Sequence, residues 1–247
     1  MGADIKSSEK KRESLALRFL YRTVPGRAVL KLLSLRGVSS AAGRFFDSRA
    51  SVLLIRGFIR RNNISAEEYC LDGFRCFNDC FVRKLRPGAR HVDMTPGVLV
   101  SPCDGRLSAY RIRDGLVLPV KQSEYTVSSL IGGDPVSERF DNGICLVFRL
   151  CVDNYHRYCY VDNGTKGENF FIPGRLHTVR PIALERHKVF CENCREYTVM
   201  ETESLGTVVQ VEVGALLVGR IKNNMGAGKT VRGGEKNIRW VRFWLGV

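Results

Sequence analysis

Val208-Val-Gln-Val-Glu-Val213 runs directly into Gly214-Ala-Leu-Leu-Val-Gly-Arg-Ile221. The first run is rich in β-branched residues and reads as a strand. The second reads as another strand whose glycines mark close backbone approach. Upstream, Tyr197-Thr-Val-Met200, Ile144-Cys-Leu-Val-Phe-Arg149, Gly115-Leu-Val-Leu-Pro-Val120, Arg106-Leu-Ser-Ala-Tyr110 and Val98-Leu-Val100 have the same character, separated by glycine and Asx residues. From about residue 98 onward the pattern therefore predicts a β-dominated core, sandwich- or barrel-like. No internal repeat or low-complexity tract interrupts it.

The first quarter of the chain differs. Leu15, Phe19 and Leu20, then Val29, Leu30, Leu32 and Leu33, then Phe45, Phe46, Leu53, Leu54, Phe58 and Ile59 recur at helical spacing with basic residues between them. Residues 64–86 also read as helical, with Ser65-Ala-Glu-Glu68 as a capping box, Phe74, Phe77 and Phe81 on one face, and Pro87-Gly88 as the stop. The fold class expected is α+β, with a helical, basic layer over residues 1–90 and a β-rich core over 91–247.

Charge follows the same division. The net charge is +14 over 247 residues, and residues 1–61 hold 14 Lys and Arg against 4 Asp and Glu. A basic amphipathic segment on a near-neutral body predicts an anionic partner. Such helices can lie in a bilayer interface with the apolar face down, or pack on the domain's own core. A spanning helix needs ~20 mostly apolar residues, whereas the longest apolar runs, such as Ser51-Val-Leu-Leu-Ile-Arg-Gly-Phe-Ile-Arg60, carry arginines. Membrane contact is expected to be peripheral, at the cytoplasmic face of the cell membrane. No stacking aromatics interleave with the basic run, so no nucleic-acid partner is expected. Nine cysteines, an odd count without an opening signal peptide, read as buried free thiols of a reducing compartment.

Four segments offer chemistry. Ser101-Pro-Cys-Asp-Gly105 places Asp104 in a strand-end turn, although an Asp-Gly turn needs no function. Tyr155-His-Arg-Tyr-Cys159 sets His156, Arg157 and two phenols on a loop after an apolar strand, where a rigid scaffold can hold reactive groups. Gly174-Arg-Leu-His-Thr-Val-Arg-Pro181 carries His177 between Arg175 and Arg180, whose forks match phosphate oxygens. Cys191-Glu-Asn-Cys194 near His187 is half a zinc site without its other half, so no metal is expected. No P-loop, dinucleotide fingerprint or nucleophile elbow is present.

Taken in order, these segments resemble the phosphatidylserine decarboxylase family, in its short bacterial form. The resemblance is carried by Phe77-Asn-Asp79, Phe81-Val-Arg-Lys-Leu-Arg-Pro87, Ser101-Pro-Cys-Asp-Gly105, Lys121-Gln-Ser-Glu-Tyr125, Ser129-Leu-Ile-Gly132 and Tyr155-His-Arg157. It continues through Gly164, His177-Thr-Val-Arg-Pro-Ile-Ala183, Val211-Glu-Val-Gly-Ala215 and Val218-Gly-Arg-Ile221, covering roughly residues 15–236. It implies a self-processing lyase of phospholipid biosynthesis that converts phosphatidylserine to phosphatidylethanolamine and carbon dioxide. The cofactor implied is a pyruvoyl group, formed when the chain cuts itself before the serine of a C-terminal Gly-Ser-Thr. Its carbonyl forms a Schiff base with the substrate amine and accepts the electrons left by decarboxylation. The resemblance implies an Asp–His relay that acts with that serine: its Asp falls on Asp104, its usual relay histidine falls on Cys159, and His156, the first histidine of the motif, is taken to serve in its place. It further implies self-association and a separate small chain bearing the pyruvoyl group.

Two departures qualify it. The family's second histidine, three residues after the first, falls on Cys159, so His156, His177 or Cys159 itself could serve the relay. The expected Gly-Ser-Thr is missing: Arg232-Gly-Gly-Glu-Lys236 fits, Asn237-Ile-Arg-Trp-Val-Arg242 does not, and the last serine is Ser204. Truncation or a frame-shift, a large chain whose small partner is supplied separately, and an inactive lipid-binding relative are the three explanations, of which the abrupt basic, Trp-containing tail favours a damaged frame. The 247 residues alone are expected neither to self-cleave nor to decarboxylate.

Overall fold

A computed structural model describes residues 15–33, 36–93, 95, 99–120, 123–184, 187–216, 218–221, 223, 227–231 and 242–243. The basic amphipathic stretch folds as helices α1 (Leu15–Arg22), α2 (Val24–Leu33), α3 (Arg36–Phe46) and α4 (Ile55–Arg61), with a 3-10 turn over Arg49–Leu54. These helices use their apolar residues in two directions. Tyr21 and Leu30 are buried against Ile182, Ala183 and Val189, and Ile55 is buried against Phe77, Cys80, Phe81 and Val82. On the other side Leu53 is 88% exposed, Leu15 80% and Val24 71%, with Leu32, Phe19 and Phe45 also open to solvent. These segments thus both pack on the core and leave large apolar side chains exposed.

Residues 64–86 are not one helix. Strand β1 (Tyr69–Cys70) pairs antiparallel with β2 (Lys84–Leu85), and only α5 (Phe77–Phe81) between them is helical. Ser65 Oγ accepts from the Glu67 amide in a local turn rather than closing a capping box. The phenylalanine spacing is right, but Gly73 at φ +74° and the pairing across the hairpin override helical continuation.

The predicted β-rich half contains β3 (Arg106–Arg111), β4 (Leu116–Val120), β5 (Ser123–Thr126), α6 (Val127–Leu130) and β6 (Ile144–Arg149), followed by β7 (Gly164–Ile172), α7 (Pro181–Leu184) and α8 (Val189–Glu192). Then come β8 (Arg195–Thr202), β9 (Gly206–Val213), β10 (Val218–Arg220), β11 (Lys229–Val231) and β12 (Arg242–Phe243). β11, β7, β8 and β9 make a four-stranded antiparallel sheet, and β3–β6, β4–β5 and β10–β12 are two-stranded. Ile112, Tyr125, Val127, Ile131 and Tyr197 form the main core, with Tyr110, Cys145 and Val147 from one sheet and Val199, Val209 and Val211 from the other. The α+β architecture is therefore sandwich-like, with two antiparallel sheets closing on apolar residues at alternate positions.

β7 is an interior strand that the sequence reading missed. Its Gly164-Thr-Lys-Gly-Glu-Asn start is polar and glycine-broken. Of the strand expected at 98–100, residues 99–100 have no strand partner among the described residues, and residue 98 lies outside them. Gly214 has a packing reason: a Cβ there would sit 2.7 Å from Cys194 Sγ and 2.9 Å from Leu176 Cδ2. All nine cysteines are free thiols, with Cys76, Cys80 and Cys194 buried and the rest, including Cys145 and Cys151, half-buried.

Candidate active site

Asp104 stands at the mouth of β3, where the chain turns into its pairing with β6. Gly105 makes that turn at φ +130°, and a Cβ there would lie 2.8 Å from the Arg149 carbonyl oxygen. Only glycine fits both the dihedral and the space. One Asp104 oxygen, Oδ2, accepts from the Tyr155 amide at 3.0 Å. The other, Oδ1, is paired with Arg90 Nη1. Arg90 also donates to Glu68 Oε1 at 2.5 Å and to Tyr69 Oη at 2.9 Å, so the carboxylate is tied to the β1 hairpin. Hydrogen bonding from Arg90 holds the Glu68 carboxyl below its ordinary range.

The loop bearing His156 is laced to the Asp104 turn. Besides the Tyr155 amide, the Cys159 amide donates to Pro102 O at 2.7 Å, and Cys159 Sγ lies 3.5 Å from Ser101 O. From behind, buried Arg83 donates to Asp153 O at 2.6 Å and Asn154 O at 3.1 Å, and Arg157 donates to Val82 O at 2.9 Å. Arg157, offered by the sequence as a reactive guanidinium, is a brace. Tyr155 stacks on Tyr69, with ring centroids 6.1 Å apart.

His156 is buried with its ring centroid 4.1 Å from that of Phe81. Its Nδ1 meets Asn154 O at 2.9 Å. A carbonyl only accepts, so Nδ1 carries the proton and Nε2 presents a lone pair. Burial lowers the imidazole to about 4, the Arg83 charge acts in the same direction, and Asp104 and Asp153 oppose it. His156 is therefore a neutral base at ordinary pH. Asp104 and His156 are joined through the backbone: the Tyr155 amide donates to Asp104 Oδ2, and His156 is the next residue.

A further group here escaped sequence reading. Glu212 of β9 faces away from the apolar core. Gln210 Nε2 donates to its Oε1 at 2.8 Å, and its Oε2 is buried without a partner. Burial pushes this carboxyl up to about 8, with the Glu196 charge adding and Lys166 opposing. Glu212 therefore keeps its proton at neutral pH. Its charge would be felt at Cys103, next to Asp104, and at Tyr158, whose Oη donates to Asn223 Oδ1 at 2.6 Å. Only its place in Val211-Glu-Val-Gly-Ala215 hinted at it; a buried carboxyl cannot be told from a surface one by spacing. Cys103 is not a ready nucleophile, because burial first and the neighbouring acidic groups second push its thiol to about 12.

His177 belongs elsewhere. Its neighbours are Tyr21, Asn193, His187 and Glu192, a different set from those around Asp104. Of the three relay candidates, His156 and Cys159 flank the Asp104 turn and His177 does not. Cys191 and Cys194 do not converge on His187 either: Cys191 Sγ contacts Ser129 Oγ at 3.2 Å, and Cys194 Sγ points to Gly219 O at 3.9 Å.

Comparison with known proteins identifies the family. A family model described as phosphatidylserine decarboxylase matches residues 77–237. A phosphatidylserine decarboxylase proenzyme 2 of Clostridium acetobutylicum is 44% identical over 217 residues, covering 87% of this chain and 75% of that one. Proenzymes of Clostridium perfringens and Ruminiclostridium cellulolyticum are each 38% identical, over 226 and 229 residues, with 89% and 90% of this chain and 76% of each relative covered. The chain belongs to the phosphatidylserine decarboxylase family of carboxy-lyases.

Proposed function

We propose that this chain carries the acid–base half of a pyruvoyl-dependent phosphatidylserine decarboxylase, with Asp104 and His156 as its working pair. The observation that carries the reading is the lacing of the two loops: one backbone amide joins the carboxylate to the residue preceding a neutral imidazole. A bound pyruvoyl group supplies the electron sink for loss of carbon dioxide. The donor set fits such a group: His156 Nε2 can take a proton and return it to carbon, and Asp104 stays fixed by Arg90 and Tyr155. Cys159, where the family resemblance expects a histidine, is the third group at this turn.

The precursor serine is not among these 247 residues. Ser204, the last serine, is tied to Asp162 Oδ2 at 2.7 Å near the β8–β9 turn. The 247 residues alone are therefore read as inactive, the group coming from a serine-bearing segment. The test is carbon dioxide release from carboxyl-labelled phosphatidylserine in vesicles. The 247-residue protein should run as one full-length band and release none. Joined to, or mixed with, a Gly-Ser-Thr segment it should release carbon dioxide, and Asp104→Asn or His156→Ala should cut that release by about 100-fold or more. Activity of the 247 residues alone, or undiminished activity of both variants, would sink the assignment.

Residues 1–90 are read as the membrane-associating region and 91–247 as the decarboxylase core. The support is the exposure of Leu15, Phe19, Val24, Leu32 and Leu53 together with that of Arg18, Arg27, Arg49 and Arg56 in the same segments. Each basic residue near an anionic surface adds about 1 kcal/mol, enough for reversible peripheral binding. No helix among the described residues is long and apolar enough to cross a membrane. Co-sedimentation with phosphatidylserine-containing vesicles should fall for Leu15→Ser/Leu53→Ser; unchanged binding would remove the helical layer from the interface. Self-association is a companion expectation, read by light scattering.

A further inference from the structure

A second polar cluster lies away from Asp104 and His156. Loop residue His177, His187 after α7 and Glu192 at the end of α8 meet beside the apolar cluster of Tyr21, Ile182 and Val189. The two imidazoles stack with centroids 4.0 Å apart and planes at 15°. Glu192 Oε2 lies 3.3 Å from His187 Nδ1 and 4.0 Å from His177 Nε2, and one ligand atom from each residue falls within 4.8 Å of the others.

His177 Nε2 is buried and has no hydrogen-bond partner. A buried nitrogen left unpaired is destabilising, so this Nε2 asks for a ligand. Pairing of His187 with Glu192 satisfies His187 but leaves this nitrogen bare. On the far side of the ring, Tyr21 Oη lies 3.4 Å from Nδ1 and is itself held by the Thr178 amide at 3.0 Å. With the proton on Nδ1 donated to Tyr21 Oη, Nε2 turns a lone pair toward Glu192. Metal-bound histidines are commonly anchored in this way through their other nitrogen. A cavity of about 470 Å³, lined by Gly174, Arg175, His187 and Glu192, opens beside the cluster.

We propose that His177 Nε2, His187 Nδ1 and the Glu192 carboxylate bind a divalent transition-metal cation of the zinc type. Two imidazoles and one carboxylate with a fourth position open to solvent are a ligand set zinc uses. Zinc bonds of about 2.0–2.2 Å, made in the plane of each ring, require the ligand atoms to draw closer than they stand now and the His187 ring to turn out of its stack on His177. His187 and Glu192 are free to make that movement, with side chains 29% and 39% exposed, while His177 is fixed. Arg175 at the cavity rim is exposed, so its opposing charge is screened by water. The ligand set shares only His187 with the zinc half-site suggested by Cys191 and Cys194.

The test needs no enzymatic activity. Chelator-stripped protein, kept reduced with a phosphine, is titrated with Zn²⁺ by calorimetry and with Co²⁺ by visible absorption. Circular dichroism confirms that each variant is folded. The expected result is one ion per chain, a Co²⁺ spectrum without thiolate charge-transfer bands, and affinity weakened by about 10-fold or more in both His187→Ala and Glu192→Gln but retained in Cys191→Ser. These two ligand variants are chosen because His177→Ala would also open a buried hole. Absence of binding to the unaltered protein, affinity indifferent to either ligand variant, or loss of binding in Cys191→Ser would overturn the proposal.

Discussion

Replacing Glu212 with glutamine should raise the stability of this protein at neutral pH. Burial lifts the carboxyl from its ordinary 4.5 to about 8. Between those values the folded chain holds a proton that the unfolded chain has released. The unfolded state gains ionisation free energy that the folded state forgoes, so stability falls as pH rises through this window. At 1.36 kcal/mol per pKa unit, the penalty is about 1 kcal/mol near pH 5 and about 3 kcal/mol near pH 7. It levels off once the pH passes the folded value and both states ionise. Glutamine cannot ionise, and it keeps an oxygen for the Gln210 Nε2 donor. Urea unfolding followed by circular dichroism, run on both proteins at the two pH values, measures the effect. The stability advantage of the variant should grow by about 2 kcal/mol from the lower to the higher pH. Titrations of His156 and His177 are common to both proteins and cancel in the difference. An advantage that stays flat across this range would show that Glu212 ionises normally, and with it would go the neutral acid beside Cys103.

Gly105→Ala should destabilise the fold by about 1–3 kcal/mol, read as a lowered urea midpoint, because the added Cβ meets the Arg149 carbonyl at a φ that disfavours side chains. Arg90→Ala should cost only about 1 kcal/mol in stability, since both its ion pairs are partly exposed, yet release the Asp104 carboxylate. Decarboxylation by the serine-bearing protein should therefore fall more than the unfolding midpoint does. The His156 imidazole is depressed to about 4 against an ordinary 6.5. Its contribution to stability is lost as pH falls from the unfolded value through the folded one, and ring proton shifts followed by NMR should titrate near 4. A midpoint near 6.5 would mean that the ring is solvated.

The legible part of this fold is local. Ile144–Arg149 is a strand with the expected ends, the runs 197–200 and 208–213 lie inside β8 and β9, and the helices of 15–61 follow their apolar spacing. Side chains on one face of an element recur with its period, so the sequence carries that information directly. Where the period misled, a contact between distant residues had decided the matter. The aromatic spacing of 74–81 reads as helical, but Tyr69–Cys70 pairs with Lys84–Leu85. Gly164–Ile172 is too polar to read as interior, yet it lies between two strands.

For the site, the sequence by itself supplied Asp104, His156 and Cys159 through ordered motifs, together with the family. Tertiary structure decided how they are placed and charged. A hydrogen bond across 51 residues sets the Tyr155 amide on Asp104. Burial holds His156 neutral and Glu212 protonated, and packing sends His177 to Glu192 instead of to Asp104. A residue's type states which protons it can carry. The dielectric and the charges around it, assembled from remote segments, determine whether it carries them at a given pH.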